Sequence, residues 1–320
     1  MHAAVLHAPG EPPHFEEFPE PAAAAGEALV HVRATALKPV DRQLASGAHY
    51  ASPHKFPAVC GTDGLGLLED GTRVFFGGCR WPYGTMAQRT VAPRAFCFPV
   101  PDGVDDLAAA ALPNPGVSAW LTLTSRAKLA AGETILILGA TGVAGRLAVQ
   151  MAKSLGAGRV IAAGRDEPAL ESVRALGADA VIPLRRPDQE VTEAFARCAE
   201  DSGLHVIVDY LWGHPTELLL AALTRKEFAA FNSDIRLVQV GESAGAAIAL
   251  PAAALRSAPI CILGTGGIPS LESLTAAFRE VLAQAARGSL RVSTEPVPLK
   301  DIEQAWRREV RGGHRLVLVP

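Results

Sequence analysis

The sequence predicts an α/β protein of two parts: a β-rich module and a doubly wound, six-stranded parallel sheet. Three observations carry this. A strand, Thr134-Ile-Leu-Ile-Leu, runs into Gly139-Ala-Thr-Gly142-Val-Ala-Gly145 and then into a helical segment. From there to residue 263 apolar strands alternate with helical segments, the pattern of a parallel sheet covered on both faces. The first hundred residues instead show period-two alternation broken by Gly and Pro.

Each element has its own justification. Residues 28–36, Ala-Leu-Val-His-Val-Arg-Ala-Thr-Ala, alternate apolar and polar positions as a half-buried strand does. Residues 72–76 and 96–100 read as further short strands, with turns at 53–57, 61–66 and 77–84. The character changes near residue 104, where 104–112 and then 117–127 read as helices. The parallel strands are expected at 134–138, 159–163, 180–183, 205–210, 236–240 and 259–263. Helices at 168–176, 189–198 and 217–223 fit between them. The tail adds an amphipathic helix at 271–286, a strand-like segment from Thr294 followed by a helix, and a terminal strand at 315–320. It exceeds the needs of one doubly wound domain, so it is expected to pack back onto the first module.

Composition excludes several classes. The chain has 320 residues, 49% of them hydrophobic, with a net charge of −3. That charge gives no footprint for nucleic acid or an anionic membrane. No apolar run reaches the roughly 20 residues that span a bilayer. The N-terminus lacks the basic and long apolar regions of a signal peptide, so a cytoplasmic location is expected. Cysteines 60, 79, 97, 198 and 261 are scattered, with no Cys-x-x-Cys pair. They read as free thiols.

The glycine turn narrows the chemistry. Glycines between a strand and a helix let backbone approach a pyrophosphate, and the helix N-terminus offers free N–H groups to it. This is a dinucleotide site. Nineteen residues past Gly145, where an acid would bind the ribose hydroxyls of NAD, stands Gly164. Arg165 follows, and a guanidinium matches a 2′-phosphate. NADPH is therefore the expected cofactor, with Arg185 and Arg186 as further candidates. The alternative is that Arg165 is a surface residue and Asp166 binds ribose.

The whole chain resembles the medium-chain dehydrogenase/reductase superfamily, and within it the zinc-independent quinone oxidoreductase-like branch. The resemblance rests on Ala36-Leu-Lys-Pro39-Val-Asp41, Gly61-Thr-Asp-Gly64-Leu-Gly66 and Pro113-x-x-Gly116-Val-Ser118-Ala-Trp120. It continues through the Gly139–Gly145 turn, Val240-Gly241, Pro298-Leu-Lys-Asp-Ile-Glu-Gln-Ala-Trp306 and the Gly312-Gly-His-Arg tail. It implies a GroES-like β-rich catalytic domain (1–115 and 264–320) around an inserted Rossmann NADP(H)-binding domain (116–263). It also implies that Thr141, Gly142, Val143 and Ala144 lie under the pyrophosphate, with Ser118, Val240 and Gly241 near the nicotinamide. For Ser118 the alternative is a helix hydroxyl bonded to backbone. Relatives commonly dimerise through the edge strand of the Rossmann sheet, here 259–263. Two departures stand out: Lys38 replaces the family's usual Asn, and the loop after Gly66 is short.

No metal is expected. The zinc-dependent relatives need converging Cys and His ligands, but no Cys stands near 38–41, and Gly61-Thr62-Asp63 replaces Gly-His-Glu. Without a Lewis acid, reduction of a conjugated acceptor, a quinone or an enone, is easier than alcohol oxidation. Tyr50 and His49 are the candidate proton donors. Lys38 adds positive charge, and Asp41 orients the loop. The alternative for Tyr50 is a loop aromatic packed on Pro53. Two other functions stay open: an enoyl-thioester reductase with Tyr50 as proton donor, and a non-catalytic NADPH-binding protein.

Overall fold

The structure, a computed structural model, describes residues 1–49, 51–224, 234–267, 269–310 and 312–320. The chain divides into two compact units, Met1–Asn114 with Leu271–Pro320, and Pro115–Ser270.

The N-terminal part of unit 1 contains β1 (His2–Leu6), β2 (His14–Glu17), β3 (Glu27–Ala36), α1 (Pro39–Ser46), β4 (Ala58–Val59), β5 (Asp63–Leu68), β6 (Arg73–Gly77), β7 (Arg89–Pro93), β8 (Cys97–Pro99) and α2 (Asp106–Ala111). Helix α1 starts where its sequence directs. Pro39 occupies the first turn, where a missing N–H costs nothing, and the Asp41 carboxylate accepts from the Lys38 N–H at 2.8 Å. It ends at Gly47, whose φ of +80° suits glycine.

Helix α3 (Pro113–Leu121) leads into unit 2, which continues with β9 (Thr134–Leu138), α4 (Val143–Ser154), β10 (Arg159–Gly164), α5 (Glu167–Arg174), β11 (Ala180–Pro183), α6 (Asp188–Ser202), β12 (Val206–Asp209), α7 (Gly213–Leu223), β13 (Ile235–Gln239), α8 (Ala252–Ser257) and β14 (Ile260–Gly264). The six strands form one sheet in the order β11-β10-β9-β12-β13-β14, every pair parallel. All five residues of β9 are buried, as a central strand covered on both faces requires. The helix expected over 117–127 differs from the one found. It begins at Pro113 and closes in a π-helical turn, Thr122–Arg126. The Thr124 hydroxyl bonds the Trp120 carbonyl in that stretch at 2.7 Å, the kind of side-chain contact that disturbs a helical ladder.

The tail returns to unit 1 as α9 (Leu271–Ala286), β15 (Ser293–Pro298), α10 (Ile302–Arg307) and β16 (His314–Val319). Strand β16 pairs antiparallel with β3, placing Val317 opposite Ala36. Leu316 and Leu318 enter one core with Leu6, Leu37, Met86 and Ile302. Burying each such side chain contributes about 1.5–3 kcal/mol. Phe278 of α9 stacks on Phe98 at 4.2 Å.

Candidate active site

In unit 2 the strand order reverses between β9 and β12, and a parallel sheet binds ligands beyond the C-terminal ends of its strands at that point. The glycine turn lies there. Gly139 has φ +81°, and the Gly139 and Ala140 N–H groups both donate to the Ala163 carbonyl at 3.0 Å. Gly142 begins α4 with no side-chain cap. The first-turn N–H groups therefore have no intrahelical acceptor, and the helix presents its positive end. A Cβ on Gly142 would meet only the Gly139 carbonyl oxygen, at 3.4 Å, so this side of the turn is open. A Cβ on Gly145 would lie 2.3 Å from the Gly139 carbonyl oxygen and 2.6 Å from Ala140 Cα. The structure thus brings Thr141, Gly142, Val143 and Ala144 together over an uncapped helix end that can hold a pyrophosphate.

Gly164 ends β10. A Cβ there would lie 2.7 Å from Thr141 Cγ2, so the turn itself occupies the space of a side chain. Arg165 is exposed and makes no hydrogen bond or ion pair among the described residues. Asp166 is engaged: its carboxylate caps α5 by accepting from the Ala169 N–H at 3.1 Å. Arg186 pairs with Glu167 at 2.8 Å, while Arg185 is exposed. Val240 and Gly241 follow β13 directly, their N–H groups donating to the Asp209 carbonyl at 2.8 and 3.1 Å. Ser118 is exposed on α3.

The sequence reading overlooked the turn after β12. The buried Asp209 carboxylate accepts from the Leu211 and Trp212 N–H groups at 2.8 and 2.9 Å and from the Thr216 hydroxyl at 2.6 Å. Burial raises its pKa against those bonds. Trp212 is held at φ +55°, a strained conformation for a non-glycine residue. An acid closing an apolar strand, Val-Ile-Val-Asp209, was the available signal.

Unit 1 holds a second site. Lys38, Asp41 and Asp63 are 3%, 3% and 6% exposed. Lys38 Nζ lies 2.9 Å from Asp63 Oδ1 and 3.5 Å from Asp41 Oδ2. Asp63 Oδ2 accepts from the Thr62 hydroxyl and from Asn114 Nδ2, both at 3.0 Å. Asp41 Oδ1 lies 3.2 Å from both the Thr62 N–H and its hydroxyl. Burial would lower the Lys38 pKa, but the two carboxylates more than offset it and hold it above the ordinary lysine value. Burial also raises that of Asp41, with Asp63 adding to the effect and Lys38 opposing it. Arg315, a half-buried cation, donates to the Leu37 carbonyl at 3.1 Å.

This cluster borders a cavity of about 550 Å³ whose lining includes Asp41, Thr62, Cys60, Cys79 and Trp81. Lys38 is not on the wall; it touches Asp41, which is. No Lys, Arg or His among the described residues lines the cavity. Tyr50, the expected proton donor, lies outside the described residues. His49 accepts at Nδ1 from the Ala51 N–H at 3.1 Å.

A six-stranded parallel sheet with an uncapped glycine turn, joined to a separate β-rich unit, defines a dinucleotide-dependent oxidoreductase. Comparison with known proteins agrees. The family model described as "Zinc-binding dehydrogenase" matches residues 144–254. A probable NADPH-dependent quinone reductase of Emericella nidulans is 28% identical over the full length of both chains. The quinone oxidoreductase of Thermus thermophilus, solved alone and with NADPH, is 28% identical, covers all of both chains and superposes with a TM-score of 0.78. A trans-enoyl reductase of Aspergillus terreus is 31% identical over 44% of this chain and 37% of its own. These similarities indicate the medium-chain dehydrogenase/reductase superfamily and its quinone reductase-like branch.

Zinc, which the family description names, does not fit the described residues. The match falls within unit 2, and no three His, Cys, Asp or Glu residues converge as a metal site among the described residues. In unit 1 the two buried carboxylates already share the Lys38 ammonium. A second cation there would face that charge at close range.

Proposed function

We propose that the chain is a zinc-independent, NADPH-dependent reductase that adds hydride to a neutral conjugated acceptor, a quinone or an α,β-unsaturated carbonyl. The observation that carries this reading furthest is the unit 1 cavity, apolar on most of its wall and without a cationic lining residue among the described residues. Such a cavity suits a flat, uncharged acceptor.

Bound NADPH supplies a hydride from its dihydronicotinamide ring. The residues divide the remaining work. Backbone N–H groups of Thr141 to Ala144 would hold the pyrophosphate, and the exposed Arg165 after Gly164 would fork the 2′-phosphate. Ser118, Val240 and Gly241 flank the nicotinamide. Asp41 orients the cavity loop, with Lys38 as a positioning residue acting through Asp41 and Asp63. Tyr50 or His49 supplies the proton that the developing enolate needs. Unit 1 is the catalytic domain, and unit 2 binds NADP(H). Two copies join through β14, which pairs only with β13 among the described residues; a monomer in light scattering removes this part. No helix among the described residues is long and apolar enough to cross a membrane, and the absence of a disulfide among the described cysteines suits the reducing cytoplasm.

Steady-state NADPH oxidation tests the whole. Turnover is expected with 1,4-benzoquinone and 9,10-phenanthrenequinone, and EDTA should leave it unchanged. Arg165→Ser should raise the KM for NADPH about 10- to 100-fold, the loss of a charge-assisted hydrogen bond, and leave that for NADH unchanged. Turnover confined to an enoyl thioester would replace the acceptor. Tight NADPH binding with no turnover on any acceptor would leave only a binding protein.

A further inference from the structure

Arg146 follows Gly145 in the first turn of α4 and is half-buried. Its Nε donates to the Thr141 carbonyl at 3.1 Å. Its Nη2 donates to the Ser172 hydroxyl at 2.7 Å and to the Ala169 carbonyl at 3.4 Å. The Ser172 hydroxyl donates to that same carbonyl at 2.6 Å. One side chain therefore joins the glycine turn to α5. Both attachments bear on Arg165. Thr141 packs against Gly164, the residue before it, and the Ala169 N–H donates to Asp166, the residue after it. We infer that Arg146 sets the preference for a 2′-phosphate on the cofactor: it fixes both neighbours of Arg165 and offsets the Asp166 charge that would repel that phosphate. The inference rests on Arg165 facing the 2′-phosphate.

The charges around Arg165 decide what it can hold. A 2′-phosphate brings close to two negative charges at neutral pH. Two acids, Asp166 and Glu167, follow Arg165 directly. Unopposed, they would cancel its charge and repel the phosphate. Each has an arginine to answer it. Arg186 pairs with Glu167 at 2.8 Å. Burial lowers the Arg146 pKa and the Asp166 charge opposes that, so these two groups attract across the α4–α5 junction. Arg165 makes no ion pair among the described residues and keeps its charge available. Arg146 has Nε and Nη2 committed to protein acceptors, so it is a positioning residue and not a phosphate ligand.

This role differs from simple support of the fold. Both nucleotides carry the adenosine ribose and the pyrophosphate, so a loosened turn alone weakens NADPH and NADH alike. Only NADPH carries the 2′-phosphate. Removing the Arg146 charge exposes that group to Asp166, so the loss falls on NADPH.

The test measures binding of 2′,5′-ADP and of 5′-AMP to the full chain by titration calorimetry. The two fragments differ only in the 2′-phosphate, and neither is turned over. In Arg146→Met the advantage of 2′,5′-ADP should fall about tenfold, while 5′-AMP weakens by less than about threefold. Adding Asp166→Asn should restore most of the advantage, because asparagine keeps the helix cap and removes the charge. A purely structural loss would not be rescued in this way. Equal losses for the two fragments, or no recovery in the double variant, would overturn the inference. Asp166→Asn alone keeps Arg146 and the cap, and should raise the advantage about two- to threefold. An unchanged value there overturns the inference even if Arg146→Met does not fold. Arg165→Ser, measured alongside, tests the underlying reading. If it removes the advantage while Arg146→Met weakens both fragments equally, Arg165 stands and the inference falls. If only Arg146→Met removes the advantage, Arg146 stands and the reading of Arg165 falls.

Discussion

Replacing Lys38 with methionine is expected to lower the melting temperature of unit 1 by on the order of 10 °C. Methionine keeps much of the side-chain length but removes the ammonium that Asp41 and Asp63 share. Thr62 and Asn114 donate to these carboxylates but carry no charge. Taking one partner out of a buried ion pair costs about 3–5 kcal/mol, because the remaining charge is left without its paired counter-ion. Calorimetry measures it directly, and a shift under about 3 °C rejects the ionic account. The double variant Lys38→Met with Asp63→Asn should recover part of the loss. The pH dependence has a definite sign. The folded pKa of Lys38 lies above its ordinary value, so its stabilisation is complete below the unfolded pKa and is lost as pH rises through the folded one. The wild type should therefore lose stability in the strongly alkaline range above pH 10.5, and the variant should lack that component.

The second large effect is at Gly145. A single methyl group in Gly145→Ala would enter space held by backbone, at 2.3 Å from one carbonyl oxygen and 2.6 Å from one Cα. No side chain can rotate away, so either α4 or the turn before it must shift. Overpacking of this kind costs about 1–3 kcal/mol, and the shift moves the N–H groups proposed to hold the pyrophosphate. NADPH affinity should fall about 10- to 100-fold by fluorescence titration. Gly142→Ala is the contrast, since a Cβ there meets one oxygen at 3.4 Å. Equal losses in the two variants would mean that the turn does not hold the cofactor.

The two sites differ in how readable they are from sequence. Strand β9, its turn and α4 are contiguous, and each follows from local rules: a run of apolar residues, glycines at the bend and a helical period. The strand starting at Arg159 could be placed for the same reason, and Arg165 followed by counting. The ionic cluster of unit 1 could not be assembled this way. Lys38 and Asp63 are 25 positions apart, and Asn114 is 51 beyond Asp63. Only the folding of β5 brings them together. Lys38 read as a charge for the acceptor, whereas the structure encloses it between carboxylates behind the wall. Cys60 and Cys79 looked like scattered thiols, because a shared cavity has no sequence period. The pattern starts this helix at 117, whereas it begins at Pro113 and runs on through the π-helical turn to Arg126.

Gly164 also bears on how cofactor preference could change over time. Its missing side chain leaves space that Thr141 fills, 2.7 Å from where a Cβ would sit, with Leu170 at 3.3 Å. An aspartate there, the simplest route to ribose recognition, collides with the turn it is meant to serve. The threonine must shrink first, and that intermediate gains nothing by itself. A lineage carrying this pair is thereby held to its nucleotide: two substitutions in a set order separate it from the other choice, and neither is rewarded alone.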